Sequence, residues 1–252
     1  MKLGAVTYEI LKDWDVETII QNLEAARFEA VELRTQHRHG VEPSLTPEQR
    51  EAVKQRFQRS KVRLLSYGSV CEFHSPDAAV RRKNVEEAKD WIRLAHDTAA
   101  WGVKVRPNGV PRELTLEQTI ANIAECLREL GEYGQGRGVE VWVEVHGQVT
   151  QDPPVAAAIM KATKHPQVGL CWNSNPTDVV NGSVKLSFEL LRPWIRNVHI
   201  NELPGPYPYR ELFALLRAST YDRYVLCEAR ASKEPERFLR WYRALYDELN
   251  RP

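Results

Sequence analysis

Val139-Glu140-Val141-Trp142-Val143-Glu144-Val145-His146-Gly147 alternates at every step. Side chains two apart on an extended chain share a face, so the valines take one side and Glu140, Trp142, Glu144 and His146 the other. On an irregular edge of an open sheet the polar face would meet water. A closed barrel has no edge, and there inward polar side chains must face a polar mouth.

Seven further β-rich runs extend outward from this strand: Leu3–Tyr8, Ala30–Arg34, Val62–Tyr67, Val103–Arg106, Val168–Trp172, Ile195–Ile200 and Tyr224–Ala229. With Val139–His146 included, the strand starts lie 27 to 41 residues apart, room for one helix and two loops each time. Several runs are almost continuously apolar, as parallel strands buried on both faces should be.

The intervening segments carry helix signals. Thr46-Pro47-Glu48-Gln49 is a capping box with proline at the first helical position, and Thr115-Leu116-Glu117-Gln118 repeats the spacing. Ser75-Pro76-Asp77 opens a long helix to about Ala99, and Val16–Arg27 and the tail from Glu234 are amphipathic. Pro153–Ala162, Val184–Leu191 and Pro208–Arg217 are weaker helix segments. The alternation runs through residues 1–252 without a break, which predicts one α/β domain. A doubly wound sheet would open with a glycine-rich turn, but the first strand ends Val6-Thr7-Tyr8-Glu9. The expected fold is therefore a single (β/α)8 TIM barrel, which 252 residues suit.

Composition narrows the function. A formal net charge of +1 offers no electrostatic case for nucleic acid or a membrane surface. No apolar run approaches the ~18 residues of a membrane span. Cys71, Cys126, Cys171 and Cys227 form no C-x-x-C pair, and no signal peptide is apparent, so reduced thiols in a cytoplasmic protein are expected. A homo-oligomer is compatible with the sequence.

A barrel works at the C-terminal ends of its strands. Six ends carry polar pairs two residues apart: Glu32/Arg34, Glu72/His74, Lys104/Arg106, Glu144/His146, His199/Asn201 and Glu228/Arg230, while the sixth strand ends in Asn173 and Asn175. Glu228 follows three apolar strand residues and needs a cation, either Arg230, Lys104 or a metal ion. Two carboxylates and an imidazole converging in one cavity suit a divalent ion such as Mn²⁺, Zn²⁺ or Mg²⁺. They also suit proton transfer at carbon, one glutamate removing the proton and the other returning it. Arg34, Lys104, Arg106 and Arg230 either hold a carboxylate or phosphate, or neutralise Glu32, Glu72, Glu144 and Glu228 in a fixed lattice. The loop His37-Arg38-His39-Gly40 could close over a ligand.

These strand ends resemble those of the xylose isomerase-like TIM barrel superfamily, in particular its sugar phosphate isomerase/epimerase group of ketose 3-epimerases and inosose dehydratases. Glu144, His199 and Glu228, ending strands five, seven and eight, carry the resemblance. It implies that they bind a divalent metal and that the two glutamates are acid and base. The family's fourth ligand, an aspartate ending strand six, is Asn173 here, and the histidine three residues later is Pro176. An asparagine carbonyl can coordinate, though with one negative charge fewer.

The leading expectation is a metal-assisted isomerase or epimerase of a sugar, sugar acid or sugar phosphate. Glu144 and Glu228 are its catalytic pair, and Glu144, Asn173, His199 and Glu228 its metal ligands. Glu32, Arg34, Glu72, His74, Lys104, Arg106, His146 and Arg230 are expected to contact substrate. The rival is a metal-free lyase, isomerase or binding barrel in which Lys104 or Arg230 stands in for the ion. Phosphodiester hydrolysis on DNA would require more histidines at the strand ends and a basic surface, and neither is present.

Overall fold

A computed structural model describes residues 1–251 of the chain. Eight parallel strands close in sequence order: β1 (Lys2–Val6), β2 (Ala30–Arg34), β3 (Arg63–Glu72), β4 (Gly102–Arg106), β5 (Glu140–Glu144), β6 (Val168–Asn173), β7 (Ile195–Ile200) and β8 (Tyr224–Cys227). The seam is made by β1 against β8, from Lys2 opposite Tyr224 to Ala5 opposite Cys227. The expected barrel is present.

Eight α-helices alternate with the strands among the described residues: α1 (Val16–Ala25), α2 (Pro47–Gln58), α3 (Ala78–Asp97), α4 (Leu116–Gln135), α5 (Pro153–Thr163), α6 (Lys185–Leu191), α7 (Tyr209–Ala218) and α8 (Pro235–Leu249). Both capping boxes form, at Thr46 and Thr115, and the Asp15 and Asp77 carboxylates cap α1 and α3. None of these helices is long and apolar enough to cross a membrane.

Strand β3 runs further than the sequence suggests, to Glu72 rather than Tyr67. The barrel keeps Gly68-Ser69 extended, with a register shift before Glu72 pairs with Arg106.

The barrel interior is layered. At its N-terminal end Arg223 donates to Glu140 at 2.6 Å and Trp142 donates to the same carboxylate at 2.6 Å. Above that lies an apolar plug of Val6, Ala30, Leu65, Trp142, Cys171, Tyr224 and Leu226. Trp142 fits because β4 begins with glycine: a Cβ on Gly102 would come within 2.6 Å of the indole. The larger apolar cluster fills the space between strands and helices. Everything polar on the inner face above the plug is thereby pushed toward the C-terminal mouth.

Candidate active site

The alternation that puts Trp142 in the plug puts Glu144 one layer higher, beside groups from four other strands. Lys104 of β4 donates to Glu144 Oε2 at 2.6 Å, and both side chains are almost fully buried. Glu32 of β2 is wholly enclosed and accepts from Ser66 at 2.8 Å and from Asn197 at 3.4 Å. His199 of β7, with no exposed surface, spans the layer. Its Nε2 stands 3.5 Å from Glu32, and its Nδ1 stands 3.6 Å from Glu144 Oε1 and 3.5 Å from Glu228 Oε2.

These distances are too long for good hydrogen bonds, and His199 Nδ1 is buried without a hydrogen-bond partner. Two ligands about 2.1 Å from a common ion at the tetrahedral angle stand about 3.4 Å apart. One ligand atom from each of Glu144, His199 and Glu228 lies within 4.8 Å of the others. An orphaned imidazole nitrogen between two carboxylate oxygens at near-ligand spacing fits a divalent cation. Asn173, opposite His199 in the β6–β7 register, lines the same cavity.

Electrostatics hold this layer charged. Burial opposes the Glu144 carboxylate, but Lys104 and His199 outweigh it and keep its pKa well below the usual range. Burial likewise opposes the Lys104 ammonium, and Glu144, Glu32 and Glu228 raise its pKa nonetheless. For Glu32, His199 and Lys104 overcome burial in the same way.

Above the layer opens a cavity of about 880 Å³, within the range of small-molecule sites. Arg34, Lys104, Arg106, Glu144, His146, Asn173, Glu228 and Arg230 all line it. His146 is oriented by Asn108, 2.9 Å from its Nδ1. Three residues expected to meet substrate do not line it. Glu32 is one layer too deep, because β2 reaches the mouth only at Arg34. Glu72 is turned aside to accept from Arg106 at 2.7 Å and Asn108 at 2.6 Å, and His74 lies behind it, 3.9 Å from the same carboxylate. The loop histidines are structural: His37 bonds Thr7 and His39 bonds the Arg34 carbonyl.

Four contributors escaped the sequence reading. Ser66 and Asn197 support Glu32 from the inner face, and the period-two alternation back from His199 could have found Asn197. Tyr8, two residues beyond inward-facing Val6, could have been found by the same alternation, whereas Tyr207 lines the cavity from a loop, where no periodicity points to it. Tyr207 donates to Asp178 at 2.8 Å and accepts from the Trp172 indole at 3.1 Å. Asp178, in the 3-10 turn Pro176–Asp178, also accepts from the Asn175 amide at 2.9 Å. Burial pushes its carboxyl up to about 7.

Residues 20–245 match the family described as xylose isomerase-like TIM barrel. The chain belongs to that family. Its fold recurs in D-psicose 3-epimerase of Clostridium cellulolyticum H10, solved with D-tagatose: TM-score 0.81, 14% identity, 99% of this chain and 98% of that one. IolI, solved with a bound zinc atom, superposes with TM-score 0.79 at 16% identity over 99% of this chain and 96% of its own. The 3-keto-D-glucoside 4-epimerase YcjR of E. coli gives TM-score 0.81 at 15% identity over 99% and 98%. At such identities these likenesses show the fold, and this xylose isomerase-like barrel must be read from its own side chains. No functionally curated protein matches the sequence.

Proposed function

We propose that this barrel is an isomerase or epimerase of a small sugar or sugar derivative, moving a proton at a carbon next to a carbonyl. The observation that carries the reading is His199 Nδ1, buried and unbonded, with Glu144 and Glu228 oxygens 3.6 and 3.5 Å away on the floor of a polar cavity. The epimerases among its structural neighbours agree with it.

Glu144, His199 and Glu228 would hold a divalent ion, with Asn173 a weaker, neutral fourth ligand. When bound, such an ion polarises a carbonyl or hydroxyl oxygen and eases charge development on it. The two glutamates are not equivalent. Glu144 is tied to Lys104 by a 2.6 Å hydrogen bond, which favours a fixed anion. Glu228 has no ion-pair partner among the described residues except His199, and it borders the cavity, so it is free to take a proton from a substrate carbon. His146, steadied by Asn108, and Arg106, steadied by Glu72, orient the hydroxyls.

The test is solvent exchange. Incubated in D₂O with Mn²⁺ and a panel of ketoses and their acid and phosphate derivatives, the protein should place deuterium at one carbon, read by NMR. Glu228→Gln and Glu144→Gln should each cut the exchange by about 10²-fold or more. Unchanged exchange in both variants sinks the assignment.

The Lys104–Glu144 pair motivates a second reading, in which the lysine is the only cation the site needs and the chemistry is metal-free. The same assay separates the two. Exchange that survives thorough chelation favours the metal-free form.

A further inference from the structure

We infer that the ligand of this cavity carries an anionic group, a carboxylate or a phosphate monoester, held between Arg34 and Arg230. This deepens the proposed function by naming the substrate class, and it rests on reading the cavity as the reaction site.

The four basic residues of the mouth fall into two kinds. Lys104 is neutralised by Glu144 and Arg106 by Glu72. Among the described residues neither Arg34 nor Arg230 has a carboxylate within ion-pair distance, although both line the cavity. An ion-pair lattice thus accounts for half of the basic set and leaves two guanidinium groups over.

The free pair is local and built. In the closed order β2–β1–β8, Arg34 ends β2, Tyr8 follows β1 and Arg230 follows β8, so three adjacent strand ends present them side by side. The Arg34 guanidinium packs over the Tyr8 ring, 5.2 Å from its centroid. The Tyr8 hydroxyl has no hydrogen-bond partner among the described residues; burial and the neighbouring Glu9 and Glu228 raise its pKa, and Arg34 and Arg230 offset this in part. The backbone at each arginine is pinned from the β1 end. Thr7 Oγ1 accepts from the Arg34 amide at 2.9 Å, and His39 contacts the Arg34 carbonyl at 2.8 Å. Glu9 accepts from the Ala231 amide at 3.3 Å, beside Arg230.

Two planar forks and a phenolic hydroxyl, carried on three neighbouring strand ends along the cavity, suit the oxygens of a carboxylate or phosphate. A neutral sugar offers nothing that needs two unpaired guanidinium groups. The anion would lie against strands β1, β2 and β8, leaving the carbon chain to extend toward His146 and Asn173 past Glu228.

Calorimetric titration of the full chain with D-fructose, D-fructose 6-phosphate, D-fructuronate and inorganic phosphate tests this. At least one anionic sugar should bind about tenfold or more tightly than D-fructose, and the stronger of the two names phosphate or carboxylate as the group held. Arg34→Ala and Arg230→Ala should each weaken that binding roughly tenfold, and the double variant should erase the preference over D-fructose. Arg34→Lys should fall between, since it keeps the charge and loses the fork. Arg210→Ala, on α7 and outside the cavity, should bind as wild type.

Equal affinity for neutral and anionic sugars overturns the inference. So does wild-type binding in Arg230→Ala, a substitution at an exposed side chain, or no binding of any probe at about 10 mM. Anion binding without isotope exchange would sink the isomerase reading and leave the clamp standing. Exchange without anion preference would do the reverse.

Discussion

Lys104 and Glu144 meet at 2.6 Å with almost no exposed surface, which makes their pair a matter of stability as well as chemistry. Removing one member of a buried pair strands the other, at a cost of about 3–5 kcal/mol, whereas replacing both with apolar groups is often close to neutral. Lys104→Met should therefore lower the unfolding free energy by about 3–5 kcal/mol in chemical denaturation, and Lys104→Met/Glu144→Met should regain most of it. A single variant as stable as wild type would mean that Glu144 finds another cation or leaves the interior. Glu144, His199 and Glu228 were legible in the sequence because each ends or follows an apolar strand, where a polar side chain demands an explanation. The depth of Glu32 was not, because strand stagger sets how far each residue lies below the mouth, and stagger is a property of the closed barrel.

Among the elements, the turn after β6 shows a buried acid performing a positioning task. Asp178 fixes Tyr207 at the cavity wall and is pushed up to about 7 by burial. In the unfolded chain an aspartate titrates near 4. Between about pH 4 and about 7 the folded chain thus binds more protons at this position, so Asp178 contributes stability that is full below the lower value and lost as pH rises through the upper one. Melting temperatures of wild type and Asp178→Asn across that window should show the decline with pH shallower in the variant. Parallel curves would exclude Asp178 as the source. Helices with strong caps, α2 and α4, were placed closely by sequence. Asp178 was passed over because a turn has no period and its partner Tyr207 lies on another loop.

At the level of the whole molecule, the apolar plug separates the floor of the barrel from its working end. Trp142 is the plug's largest member and faces Gly102, so its loss cannot be refilled by neighbours already packed against glycine. Trp142→Ala should cost about 3–5 kcal/mol of stability by denaturant titration, with one cooperative transition retained. A cost below 1 kcal/mol would mean that the interior collapses and the layering is softer than described. The closed order of strands was legible as eight evenly spaced runs. The plug was only half visible, because alternation assigns Trp142 to the inner face without saying what it meets there.

The seam between β1 and β8 joins the first strand to the last. Without β8, β1 has a neighbour on one side only, so ring closure is the longest-range strand pairing of the fold. Tyr8 and Arg230 stand on opposite sides of that seam, with Arg34 one strand further on. An anion gripped there would act as a staple across the joint between the chain's two ends, favouring the closed ring over every open form by mass action. Ligand supply and the stability of the fold would then be linked through a single joint.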